Sequence, residues 1–140
     1  MRPHAAFVIF CTAGGLASAK CTTHTPTRPG SWEVEIHSEP NCGGAHKTIN
    51  GTMSGGNDKS VDCGCHNIGY FDCDLVSSLT FSPRRYTSLT GVPMNLDVEF
   101  WESRGCKGAS RGKHTGAWSR STITGENRVI NALRVCFVKA

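Results

Sequence analysis

The sequence predicts an all-β protein of two packed sheets stapled by disulfides, and three observations carry that expectation. Trp32-Glu33-Val34-Glu35-Ile36 and Leu96-Asp97-Val98-Glu99-Phe100 alternate apolar and acidic residues, the period of a half-buried strand. Landmarks around those two segments recur at constant spacing. The 140 residues hold 8 cysteines, a density that points to an oxidising compartment. With 38% hydrophobic and 19% charged residues, the chain is neither disordered nor membrane-like in bulk. Its net charge of +4 is too small for a dedicated nucleic-acid binder.

Residues 1–19 read as a secretory signal peptide. Arg2 supplies a charged start, Ala5 to Leu16 an apolar run, and Ala17-Ser18-Ala19 a small-residue cleavage site. The run is shorter than the ~20 apolar residues of a spanning helix, and no later stretch is long enough for a membrane anchor. The expected product is secreted and extracellular. Residues 20–31 form an N-terminal segment rich in Thr and Pro. Residues 32–140 form the folded domain.

The first strand, Trp32 to Ile36, leads to Cys42, Gly44 and Ala45. Exactly the same order returns 64 residues later at Leu96 to Phe100, Cys106, Gly108 and Ala109. A trailing segment, Leu75 to Phe81, is matched by Val129 to Val135 at an offset of 54. The extra length of the first copy falls between Asn50 and Cys65, a glycine-rich surface loop. The copies span about 32–82 and 94–138, joined by Ser82 to Pro93 with its Arg84-Arg85 pair. Neither can bury a core alone. Packed together they would bury Trp32, Val34, Ile36, Val76, Leu79 and Phe81 against Leu96, Val98, Phe100, Ile130, Leu133 and Val135. Each such side chain contributes about 1.5–3 kcal/mol, so a domain of this size needs disulfides as well.

Cleavage after Ala19 removes Cys11 and leaves Cys21, Cys42, Cys63, Cys65, Cys73, Cys106 and Cys136, an odd number. Cys106 and Cys136 are the cysteines of the second copy, so they are expected to pair. Cys42 would then bond to Cys63, Cys65 or Cys73. Cys63 and Cys65 are too close in sequence to bond each other and should have different partners. Cys21 lies outside both copies. It is free, or links two chains, or pairs within the first copy and strands another thiol. Asn50-Gly51-Thr52 is an N-glycosylation sequon, and Asn50-Gly51 also reads as a hairpin turn.

The repeated blocks Ile36-His37-Ser38-Glu39-Pro40-Asn41-Cys42-Gly43-Gly44 and Phe100-Trp101-Glu102-Ser103-Arg104-Gly105-Cys106-Lys107-Gly108 resemble the βγ-crystallin Greek-key signature. Cysteine replaces the signature's second aromatic in both copies, and Ile36 replaces its leading aromatic in the first. Ser77-Ser78-Leu79 and Asn131-Ala132-Leu133 match its fourth-strand segment. The resemblance covers roughly Trp32 to Val138. It implies two Greek keys packed as one βγ-crystallin-like β-sandwich, and the cysteine-rich secreted form is similar to a microbial branch with killer toxins and small protease inhibitors.

Many members of that superfamily bind calcium between two adjacent acidic or amide residues and a later Ser pair. Here Cys73-Asp74-Leu75-Val76-Ser77-Ser78 lacks the first ligand, leaving Asp74 and Ser77 as a weak, degenerate candidate. The second copy, Asn127 to Ala132, puts Arg128 where an anionic ligand is wanted. Calcium takes 6–8 oxygen ligands, so neither stretch predicts a working site. Cys63-Gly64-Cys65-His66 lacks the further ligands of a zinc site. His24, His37, His46, His66 and His114 fit no nucleophile or acid–base motif and read as solvated loop residues. Asp72 and Asp74 would face opposite sides of a strand. No catalytic residue, metal or cofactor is expected.

From Arg104 onward the cations have Glu126 as their sole acid. Arg104, Lys107, Arg111, Lys113 and Arg120, with Trp118 among them, form a candidate contact patch for an anionic surface. The expected function is a secreted, non-enzymatic binding protein, a toxin or effector acting on a protein or cell-surface target of another organism. The alternatives are an extracellular protease inhibitor, presenting Ser54 to Cys65 or Ser82 to Pro93, and a structural or weakly calcium-binding extracellular protein.

Overall fold

The computed structural model describes residues 21–52, 63–69, 71 and 75–140. The signal-peptide reading, Cys73, Asp72 and Asp74 lie outside these residues. Among the described residues there are nine strands: β1 (Ser31–Glu39), β2 (Gly43–Thr52), β3 (Gly64–Asn67), β4 (Ser78–Pro83), β5 (Tyr86–Thr87), β6 (Pro93–Ser103), β7 (Lys107–Thr115), β8 (Trp118–Arg120) and β9 (Ala132–Lys139). A short 3-10 turn covers Gly125–Arg128.

The strands form two antiparallel sheets. One has the order β2-β1-β4-β8. In the other, β3 pairs with β9 and β9 with β6, while β5 and β7 pair with β6 at separate residues. Alternation along β1 and β6 turns Trp32, Val34 and Ile36 toward Leu96, Val98 and Phe100 in one shared core. All twelve side chains expected inside are buried. Ile68, Ile123, Met94 and Phe137 join them.

The internal repeat is visible in the backbone. Ser77 N–H donates to His37 O at 2.8 Å, and its counterpart Asn131 N–H donates to Trp101 O at 2.9 Å. Ile123 N–H donates to Ser77 O at 2.8 Å, and Ile68 N–H donates to Asn131 O at 3.0 Å. These last two bonds cross between blocks. β3 belongs by sequence to the first block but pairs with β9 of the second. β8 belongs to the second block but pairs with β4 of the first. Each block therefore lends its third strand to the other's sheet.

That exchange corrects the expected disulfides. Cys106 pairs with Cys65, and Cys136 with Cys63, because β3 and the residue before it bring Cys65 and Cys63 to the second block's sheet. Cys106 and Cys136 do not bond each other. Cys63 and Cys65 do take different partners. Cys21 bonds Cys42 and ties residues 21–30 to the first sheet. Asn50-Gly51 lies within β2, so the hairpin-turn reading is also corrected. Gly51 faces Trp32, where an added Cβ would come 2.7 Å from the indole. Packing against that ring accounts for the glycine.

Candidate functional site

The basic residues of the second half do not converge as one outward patch. Arg104 and Lys107 are exposed around the β6–β7 turn. Arg111 has a side chain only 8% exposed, with its guanidinium 3.5 Å from Glu102 and its Nε donating to Val129 O. Lys113 Nζ lies 3.6 Å from the Asp97 carboxylate. Two of the cations are thus matched by acids from β6, which the span-by-span charge count did not include. Trp118 and Arg120 sit on β8, in the other sheet. Trp118 is packed against the core and stacks on His114, with ring centroids 3.5 Å apart. Its role is to close the seam between β7 and β8.

The histidines are placed differently from the expectation of solvated loops. His37 is buried on β1, with Nε2 3.0 Å from Glu35. Burial holds its pKa below the ordinary imidazole value, partly offset by that hydrogen bond and charge. His46 is its cross-strand neighbour on β2. His66 meets the Trp32 ring edge-on. His114 faces the interior side of β7 opposite Val98, and burial, then the charge of Arg120, lower its pKa. His24 lies outside the strands, its Nε2 2.7 Å from Glu33. The two alternating segments of the sequence contain no histidine, so nothing in them showed that His37, His46, His66 and His114 lie in β1, β2, β3 and β7.

Asp97 is buried and its carboxyl pKa is raised by burial, with the nearby Lys113 working against the rise. Of the calcium candidates, Asp74 lies outside the described residues. Ser77 is buried and its backbone is held by His37 and Ile123. Among the described residues no three His, Cys, Asp or Glu side chains are grouped to hold a metal ion.

Two surface features stand out. The first is the β5–β6 hairpin, within the connection between the blocks. Gly91 N–H donates to Ser88 O at 2.9 Å, Ser88 N–H to Val92 O at 2.9 Å, and Val92 N–H to the Ser88 hydroxyl at 3.1 Å. Gly91 takes the left-handed φ of 86° that this tight turn requires. Tyr86 anchors the base by stacking on Phe137 at 5.1 Å. The turn holds out Leu89, 83% exposed, the one exposed large hydrophobic among the described residues. The sequence did contain a signal for it: a lone Leu in Ser88-Leu89-Thr90-Gly91, between two prolines.

The second feature is a groove of about 600 Å³ between the N-terminal segment and the β1–β2 edge. Cys21–Cys42 fixes one end of that segment. His24 N–H donates to the Ser82 hydroxyl, and the Arg84 guanidinium donates to the carbonyls of Pro26 and Thr27. The groove is lined by the polar side chains of His24, Thr27, Arg28, Glu33, Asn50 and Thr52 and by apolar surface that includes Pro26 and Trp32.

Comparison with protein-family models, with curated proteins and with solved structures finds no match in any of the three.

Proposed function

We propose that the chain is a secreted, non-enzymatic binding protein of the βγ-crystallin-like Greek-key type, acting as a toxin or effector on cells of another organism. The two-block order, the exchanged third strands and the matched corners around Cys42 and Cys106 support the fold reading. The observation that carries the functional reading is Leu89, an apolar side chain held out on an internally bonded hairpin. A leucine left in water on a rigid support gives up burial worth about 1.5–3 kcal/mol. A partner that receives it recovers that term without ordering the turn. The three disulfides among the described residues suit such a support to an extracellular setting.

The test is to apply purified protein at micromolar dose to competing microbes and to host tissue, alongside L89D. Growth arrest, death or a defence response that drops at least tenfold in L89D is expected. No response to the unaltered protein at that dose would sink the reading. The same hairpin favours a second reading, an extracellular protease inhibitor, because it lies in the Ser82 to Pro93 connection and is braced at its base. A panel of secreted proteases separates the two. Inhibition lost in L89A would support the inhibitor, and cleavage without inhibition would eliminate it.

A further inference from the structure

We infer that Asn50 carries an N-linked glycan whose proximal sugars sit in the groove between the N-terminal segment and β2. The inference rests on the secretory reading. Asn50 and Thr52 are two apart on one strand, so their side chains share a face, and both are exposed. Both line the groove. Gly51 between them is explained by the Trp32 ring beneath it. Packing does not require an amide at 50 or a hydroxyl at 52, whereas the acceptor chemistry requires both.

The groove suits a saccharide. Its volume of about 600 Å³ falls within the roughly 300–1,000 Å³ of small-molecule sites. Its walls offer the Glu33 carboxylate, the His24 imidazole, the Arg28 guanidinium and the hydroxyls of Thr27 and Thr52, donors and acceptors that match sugar hydroxyls. Its outer wall is not loose chain. The disulfide at Cys21, the Arg84 bonds and the His24–Glu33 pair hold it in place. In the transfer step a lipid-pyrophosphate-linked oligosaccharide is the donor. The Asn50 Nδ2–C1 bond forms, the C1–oxygen bond to pyrophosphate breaks, the lipid pyrophosphate leaves with the electron pair, and the amide nitrogen loses one proton. Seated sugars would lie over β2, an edge strand of its sheet, and guard it against edge-to-edge pairing.

The experiment expresses the chain in a eukaryotic secretory host, once with its own first 19 residues and once with those replaced by an established leader. Intact mass is measured before and after peptide-N-glycosidase treatment, with N50Q and T52A in parallel. The expected result is one core glycan, lost in both variants, and enzymatic release at least tenfold slower from native than from denatured protein. Protein secreted through the established leader at its unmodified mass would overturn the attachment. Native release as fast as denatured release would overturn the seat. Protein that leaves the cell only with the established leader would count against the secretory reading and leave the attachment result standing.

Discussion

The corner between β1 and β2 and the corner between β6 and β7 are the same backbone fastened in different ways. Cys42 and Cys106 sit at matched positions with left-handed φ of 57° and 56°, and Gly44 and Gly108 follow at 73° and 80°. In the first corner the Ser78 hydroxyl accepts from Cys42 N–H at 2.8 Å and donates to Glu39 O at 2.7 Å. In the second, Ala132 stands at the matched position and has no hydroxyl. There the Asn131 amide donates to Glu102 O at 2.7 Å, and Asn67 accepts from Gly105 N–H at 2.7 Å. The first corner's cysteine bonds the N-terminal segment, and the second's bonds the exchanged strand β3. A conformation that costs strain is therefore kept twice, while the groups that hold it are free to differ.

Breaking the covalent fasteners should give the largest effect. The double variant C65S/C106S is expected to lose about 2–5 kcal/mol in denaturant unfolding. C21S/C42S should lose less. It closes a separation of 21 residues against 41, worth roughly 0.6 kcal/mol in chain entropy, and it leaves the Ser78 bonds in place. Equal losses, or a larger loss in C21S/C42S, would contradict this order.

Next comes the hydroxyl itself. Ser78 is fully buried, so S78A strands a backbone donor and an acceptor and should cost about 1–3 kcal/mol. N131A, which removes a single bond at a half-buried residue, should cost about 1 kcal/mol. The reverse order, read from midpoints at constant m-value, would contradict the account of how each corner is held.

The glycines sharpen the comparison further. A left-handed φ costs a non-glycine residue about 1–2 kcal/mol at either site. At Gly44 a Cβ would also lie 2.4 Å from Glu39 Cγ and 2.5 Å from Ser38 Oγ, close to the backbone. At Gly108 the nearest atom is Glu102 Oε1 at 2.6 Å, the far end of a side chain that can swing. G44A should therefore destabilise more than G108A in the same thermal melt.

The smallest effect is a pH dependence. His114 occupies the place on β7 that Ile49 holds on β2, each opposite an inward valine of its neighbouring strand. Its folded pKa is lowered, so the unfolded chain takes up the proton first as pH falls below about 6.5. The stability that neutral His114 contributes is present above that value and is lost as pH falls through the folded pKa. H114I should flatten the acid-side decline of the melting temperature. His37, also lowered, has the same sign and keeps the slope from vanishing. An unchanged slope would remove His114 from the linkage.

The core was legible because strand alternation and the two repeat offsets act locally, and all twelve predicted side chains are buried. The disulfides were not. Assigning each cysteine to its own block assumed that each block keeps its strands, whereas β3 crosses to β9 and takes Cys63 and Cys65 with it. The basic patch failed for a related reason. Arg111 and Lys113 meet Glu102 and Asp97 across the β6–β7 pairing, and a cation count along the sequence cannot include partners from the neighbouring strand. The Ser82 to Pro93 connection was readable, but the exposure of Leu89 was not, because it depends on Tyr86 anchoring the hairpin base against Phe137.

Strand exchange is the claim on which both the pairing and the corner comparison depend, and disulfide mapping reads it directly. Non-reducing proteolysis and mass spectrometry of the purified protein should recover Cys63 linked to Cys136, Cys65 to Cys106 and Cys21 to Cys42. A peptide joining Cys106 to Cys136, or Cys42 to Cys63 or Cys65, would mean that each block keeps its own third strand and would contradict the account.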